Sequence, residues 1–299
     1  MQVEALRTPD ERFANLPGYD FEPHYIDDLP GFEGLRLHYV DEGPRDARVT
    51  FLCLHGEPSW AYLYRKMLPV FTGRNYRVVA PDFFGFGRSD KPVEDAVYTY
   101  GFHRDTLMRF FDRLKLSNVC VVGQDWGGIL GLTLPHEYPS AITRLLVMNT
   151  GLPVGESPGE GFEAWKDYVA NNPDFSVTGL MKRATPILSD AEAQAYGAPF
   201  PDRRYMAGVR RFPQLVMVSP EMEGVDVSLR AREFLKNDWA GDSFMAVGKQ
   251  DPVLGPKVME HLRATIKNCP EPMIVEDGGH FLQEWGEPVA QEALKSFGL

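Results

Sequence analysis

Gly123-Gln124-Asp125-Trp126-Gly127 follows directly on the apolar run Asn118-Val119-Cys120-Val121-Val122. Glycines flanking one reactive side chain at the end of a buried strand fit a tight strand-to-helix turn that lifts that side chain out of the sheet. The side chain here is a carboxylate rather than a hydroxyl. It is ionised at neutral pH and needs no base to become nucleophilic. It can displace a leaving group from a saturated carbon, remaining as an ester that water must then cleave. Asp is also a favoured helix N-cap, but the flanking glycines and the motifs that follow favour the nucleophile.

A histidine suited to activating that water lies in Asp277-Gly278-Gly279-His280-Phe281, just after the last apolar run. Asp251, in Gly248-Lys249-Gln250-Asp251-Pro252, follows the preceding run and can orient the imidazole and stabilise its protonated form. The order nucleophile, acid, histidine is that of a triad built along one parallel sheet. The rival position for the acid, after Leu145-Leu146-Val147-Met148, holds Asn149, which cannot carry the charge. His55-Gly56-Glu57-Pro58 follows the first buried run. The main-chain N–H groups of Glu57 and Trp126 are therefore expected to form an oxyanion hole. Gly85-Phe86-Gly87-Arg88-Ser89-Asp90 has Asp90 where a dinucleotide fingerprint needs its third glycine, so it reads as a turn.

Positioning these residues requires a sheet. Six apolar runs recur: Phe51-Leu54, Arg77-Ala80, Val119-Val122, Leu145-Met148, Phe244-Val247 and Met273-Val275. Continuous rather than alternating apolarity means burial on both faces, as in a parallel sheet covered by helices. Leu35-Val40 alternates instead and suits an antiparallel edge strand. The expected fold is a doubly wound α/β sheet. From about Thr150 to Pro220 no buried-strand run occurs. Glycines and prolines cluster at 151–161, Ser189-Asp190-Ala191-Glu192 is a capping box, Gly197 is a plausible helix stop, and Pro199, Pro201 and Pro213 punctuate the rest. Residues 1–150 and 221–299 are expected to form the core domain, and 151–220 a helical cap over the sheet's carboxyl edge, where such sheets bind ligands.

At 299 residues and 43% hydrophobic, the chain can bury a large core. A net charge of −11 without a basic face argues against nucleic acid. No leader is expected at Met1-Gln2-Val3-Glu4, nor a membrane span. Cys53, Cys120 and Cys269 read as reduced thiols of a cytoplasmic protein, and no His/Cys cluster has metal spacing, so no metal or cofactor is expected. A monomer is the expected state.

His55-Gly56-Glu57-Pro58-Ser59-Trp60, Asp82-Phe83-Phe84-Gly85-Phe86-Gly87-Arg88-Ser89-Asp90-Lys91-Pro92, Gln124-Asp125-Trp126-Gly127-Gly128 and Gly278-Gly279-His280-Phe281 together resemble the haloalkane dehalogenases of the α/β-hydrolase fold, over nearly the whole chain. Gly123 departs from the valine common there. Gly161-Phe162-Glu163-Ala164-Trp165-Lys166 is similar to the cap segment that supplies a second halide-holding tryptophan. An acid at Asp251 resembles the subfamily with a tryptophan pair. The resemblance implies a haloalkane substrate, a halide product held by Trp126 and Trp165, and a cavity lined by Phe162, Phe200, Pro201 and Ile129. Indole N–H groups are donors on apolar rings, able to stabilise a departing halide in a dry pocket without a cation. An epoxide hydrolase would share the Asp nucleophile but needs proton donors, for which Tyr168, Tyr196 and Tyr205 are candidates. Gln124, where such enzymes usually carry His, and Trp165 favour dehalogenation. A non-catalytic receptor on the same fold would not need the set Asp125, Asp251 and His280.

Overall fold

All six apolar runs become strands in the computed structural model, which describes residues 3–299; five are shielded from solvent on both faces, while Met273–Val275, at one edge of the sheet, leaves Ile274 exposed. Met1 and Gln2, part of the segment read above for a leader, lie outside the described residues. The strands of the main sheet are β1 (His24–Ile26), β2 (Leu37–Glu42), β3 (Thr50–Leu54), β4 (Arg77–Pro81), β5 (Val119–Gln124), β6 (Ile142–Met148), β7 (Asp242–Gly248) and β8 (Met273–Val275). Their spatial order is β8-β7-β6-β5-β3-β4-β2-β1. Strands β3 to β8 pair in parallel, whereas β2 pairs antiparallel with both β4 and β1. Phe51, Leu52, Val78, Val122, Leu146 and Met245 are fully buried. Each such side chain contributes roughly 1.5–3 kcal/mol through removal from water.

Leu37–Glu42 is not the edge strand expected from its alternation. The edge is β1, three residues long and mostly half-buried, too short to show a pattern. On β2 the polar face is covered as well: His38 is buried, with Nδ1 2.7 Å from Asp82 Oδ2. Asp82 also accepts from the Ala61 and Arg88 main-chain N–H groups, 2.8 Å each, so it organises the glycine turn that follows β4.

Helices cover the sheet. Helix α1 (Tyr100–Arg113) starts at Thr99, whose hydroxyl accepts from Phe102 N at 3.0 Å. It buries His103, Leu107, Phe110 and Phe111, the spacing of one helical face. Helix α2 (Trp126–Gly131) leaves β5 at the Asp125 turn. Between β6 and β7 come α3 (Glu160–Asn171), α4 (Val177–Ala184), α5 (Asp190–Gly197), α6 (Ala207–Leu215) and α7 (Val225–Asn237), with no strand among them. The capping box is formed: Ser189 Oγ accepts from Glu192 N, and Glu192 accepts from Ser189 N at 2.8 Å. Pro213 lies inside α6 rather than beyond it. It sits in the last turn, where its missing N–H removes one helical bond just before the helix ends. Helix α8 (Pro256–Thr265) packs beside β7, and α9 (Gly286–Ser296) closes the chain. Among the described residues no helix is long and apolar enough to cross a membrane.

One buried ion network joins α5 to the segment following His280. Arg65 grips Glu284 through Nη1 at 2.5 Å and Nη2 at 2.8 Å, and Nη2 also reaches Glu192 of α5 at 2.8 Å. The Tyr196 hydroxyl donates to the same Glu284 carboxylate. Losing one member of a buried pair strands the other charge. Arg65→Met is therefore expected to lower unfolding stability in urea by about 3 kcal/mol, the low end for such pairs because Lys66 Nζ remains 2.9 Å from Glu284. A change within error would show that the network contributes nothing net.

Candidate active site

Five side chains converge at the carboxyl ends of β3, β5, β6, β7 and β8. Asp125 stands in the turn between β5 and α2 with φ +50° and ψ −127°, a conformation that costs free energy for a non-glycine residue. The glycines around it make that turn possible. A Cβ on Gly127 would lie 1.9 Å from the Leu54 carbonyl oxygen, and one on Gly56 2.4 Å from Asp125 Oδ1. The backbone is pinned from the neighbouring strand: Asp125 N donates to the Asn149 carbonyl at 3.0 Å, and the Thr150 hydroxyl donates to the Asp125 carbonyl at 2.7 Å.

Asp125 Oδ1 accepts the Glu57 main-chain N–H at 2.8 Å. Burial pushes the Asp125 carboxyl above its ordinary range, while His280 and the N–H groups of Glu57 and Trp126 pull it back without cancelling the rise. His280 Nε2 lies 3.7 Å from Asp125 Oδ2. Its Nδ1 lies 2.8 Å from Asp251 Oδ2. Burial lowers the imidazole pKa, but Asp251 and then Asp125 outweigh it and raise the group to about 9. Asp251 is itself buried, which raises its carboxyl. The His280 charge, their hydrogen bond, and the N–H groups of Val253 (2.8 Å) and Leu254 (3.0 Å) more than offset this and hold it below the ordinary range.

Asn149 takes a part that the sequence reading did not give it. Its Nδ2 donates to Asp251 Oδ2 at 2.9 Å, its Oδ1 accepts from Gly248 N at 2.8 Å, and its carbonyl holds the Asp125 backbone. It thus ties Asp125 and Asp251 to one residue. Only its place at the end of a buried strand hinted at this.

These groups open onto a cavity of about 810 Å³ whose wall includes Asp125, His280, Trp126, Trp165, Ile129 and Phe162. Phe200 and Pro201 are not on that wall. They border a separate cavity of about 280 Å³ with Arg12 and Phe175, and Phe200 turns its edge to Phe86. Both follow α5, which carries them away from the sheet edge. The sequence missed Leu152, Pro213 and Leu254, which do line the main cavity. The loop containing Leu152 leaves the end of β6, which was the available signal.

Trp126 lies flat against Phe212 of α6, with ring centroids 4.5 Å apart and planes 10° apart, and Phe212 stacks on Phe86 at 4.7 Å. Trp165 stacks on Tyr168 at 5.8 Å and meets the edge of Phe175. Trp60 and Trp239 donate their indole N–H groups to the Ala195 carbonyl and the Ser243 hydroxyl. Tyr196 is fully buried against Glu284, and none of Tyr168, Tyr196 and Tyr205 contributes to the main cavity wall. Among the described residues no group of His, Cys, Asp and Glu could hold a metal ion.

The fold and this constellation define an α/β hydrolase, and the profile of the α/β hydrolase fold family matches residues 49–287. The chain is 45% identical to a haloalkane dehalogenase of Psychrobacter cryohalolentis, covering 97% of this chain and 96% of that one. It is 40% identical to a haloalkane dehalogenase of Mycobacterium marinum over 99% and 100% of the two chains. The solved structure of the haloalkane dehalogenase DpaA from Paraglaciecola agarilytica NO2 matches with a TM-score of 0.97 and 50% identity, covering 99% of this chain and 100% of that one. This chain belongs to the haloalkane dehalogenases, hydrolases acting on carbon–halide bonds. DpaA is described as tetrameric, in contrast to the monomer expected of this chain.

The Glu57 side chain is buried on the cavity wall with Oε1 unpaired. Burial and then the Asp125 charge push its carboxyl well above the usual range, which favours the neutral acid. Glu57→Gln, a neutral isostere, is expected to release halide within about two-fold of the parent near pH 7 and to lose any alkaline decline that Glu57 ionisation causes. A large loss at neutral pH would show that the ionised carboxylate is needed.

Proposed function

We propose that the chain hydrolyses haloalkanes in two half-reactions through an ester on Asp125. The observation that carries this reading is the line Asp251–His280–Asp125, with the imidazole held by one carboxylate at 2.8 Å and facing the other at 3.7 Å. Oδ1 is occupied by the Glu57 N–H, which leaves Oδ2 free to attack. A bond forms between Oδ2 and the carbon bearing halogen. The carbon–halogen bond breaks, and the halide leaves with its electron pair towards the indole N–H groups of Trp126 and Trp165. Both rings are held by aromatic stacking, and donors in place before charge develops are the ones that lower the barrier.

The first step prepares the second. While Asp125 is ionised it helps to hold the proton on His280. Esterification removes that charge, so the imidazole becomes a better base when there is an ester to cleave. His280 Nε2 then takes a proton from water, and the water oxygen attacks the carbonyl carbon of the ester. Charge on Oδ1 is stabilised by the Glu57 and Trp126 N–H groups, and Asp251 steadies the imidazolium. Collapse releases the alcohol, regenerates the carboxylate and leaves a proton for solvent. Every step uses the chain's own residues.

In this scheme the helices of 151–220 act as a cap, closing apolar walls over a core made of 1–150 and 221–299. Three buried free cysteines support a reducing, cytoplasmic setting. Epoxide opening is disfavoured because the three candidate tyrosines stand off the cavity wall. His280→Phe incubated with 1,2-dibromoethane is expected to accumulate the alkyl ester, read as added mass on the peptide containing Asp125, with halide released once per site. Continued turnover by that variant, with no added mass, would contradict the scheme.

A further inference from the structure

Gln124 is the last residue of β5, fully buried, immediately before Asp125. Its Nε2 lies 3.1 Å from the His280 carbonyl oxygen and 3.0 Å from His280 Nε2. Its Oε1 is buried without a partner. The His280 carbonyl accepts only from an N–H, so the amide orientation is set: turning it over would place Oε1 against that carbonyl oxygen. The second N–H of the amide therefore points at His280 Nε2. Since Nδ1 bears its hydrogen towards Asp251, Nε2 of the neutral ring offers a lone pair to that donor. In the imidazolium two donors would face each other.

We propose that Gln124 is a positioning residue that keeps His280 unprotonated until ester hydrolysis, by presenting an anchored N–H to Nε2 that only the unprotonated ring can accept and that gives way when the ring takes the proton of water. Two carboxylates act the other way. Asp251 faces Nδ1 from the loop after β7, and Asp125 faces Nε2 from the turn after β5. Glu57 borders the same cavity from the loop after β3. Asp251 remains charged throughout the cycle, so a base held only by carboxylates would keep its proton at the pH where it must take one from water. Gln124 supplies the counterweight from the opposite side of the ring. The unpartnered Oε1 fits this account. A purely structural glutamine would be expected to satisfy its carbonyl, whereas here the donor side is satisfied at the acceptor's expense. The inference rests on the two-step reading, because only a rate-contributing ester hydrolysis exposes the basicity of His280.

The test is rapid-quench kinetics with 1,2-dibromoethane on the full-length chain across a pH series, separating ester formation from ester hydrolysis by mass on the Asp125 peptide. Gln124→Met removes the donor and keeps the length. Gln124→Glu replaces the donor by an acceptor. Both are expected to form the ester at near-parent rates, while the acid limb of hydrolysis moves to higher pH by roughly one unit, about tenfold in rate below the limb, and further in the Glu variant. A merely structural role would lower thermal stability without moving the limb. If either folded variant keeps the parent's limb, or moves it to lower pH, the inference is overturned. Were no ester seen in the parent or in His280→Phe, the two-step reading itself would fail, a result distinct from an unmoved limb.

Discussion

A carboxylate buried under a helical layer is held by main-chain N–H groups and an imidazole, and the architecture around residue 125 follows from that constraint. Removing Asp125 from water favours its neutral form. What opposes this is local: the Glu57 N–H on Oδ1, the Trp126 N–H at the start of α2, and the imidazole across from Oδ2. Each of these needs a backbone that passes unusually close. The glycines at 56, 123, 127 and 128 have no room for a side chain, and the positive φ of Asp125 is maintained by hydrogen bonds from the neighbouring strand. The strained turn, the N–H donors and the Asp125 carboxylate form one arrangement.

The same logic explains why histidine, acid and amide come from separate strand ends. Placed along one sheet edge, Asp251, His280 and Asp125 lie in a row, and the protonation of each depends on its neighbours. Asn149 locks the spacing by binding Asp251 with its side chain and the Asp125 backbone with its carbonyl. The aromatic stack Trp126, Phe212 and Phe86 ties the start of α2 to α6 and to the turn after β4.

Much of this was legible in the sequence because the informative residues lie on regular elements. Continuous apolar runs identified the parallel strands, and the residues just past them identified Asp125, Asp251, His280 and the Glu57 loop. The short strand His24–Ile26 escaped because three residues carry no period, and so Leu35–Val40 was taken for the edge. Phe200 and Pro201 were misplaced for a related reason. Which face of 151–220 meets the cavity depends on packing between helices, and local sequence does not encode it. Asn149 and Gln124 were read as a missing acid and a family marker. Their hydrogen bonds bridge elements 102 and 156 residues apart, and no spacing rule reaches that far.

Single turnover in oxygen-18 water, with limiting 1-bromobutane and enzyme in excess, tests the covalent ester most directly. The ester route predicts that the first alcohol released carries oxygen-16 from Asp125, while the heavy isotope enters the Asp125 carboxyl. Oxygen-18 in that first alcohol, with an unlabelled Asp125 peptide, would mean that water displaces the halide itself and that no bond to the protein is made.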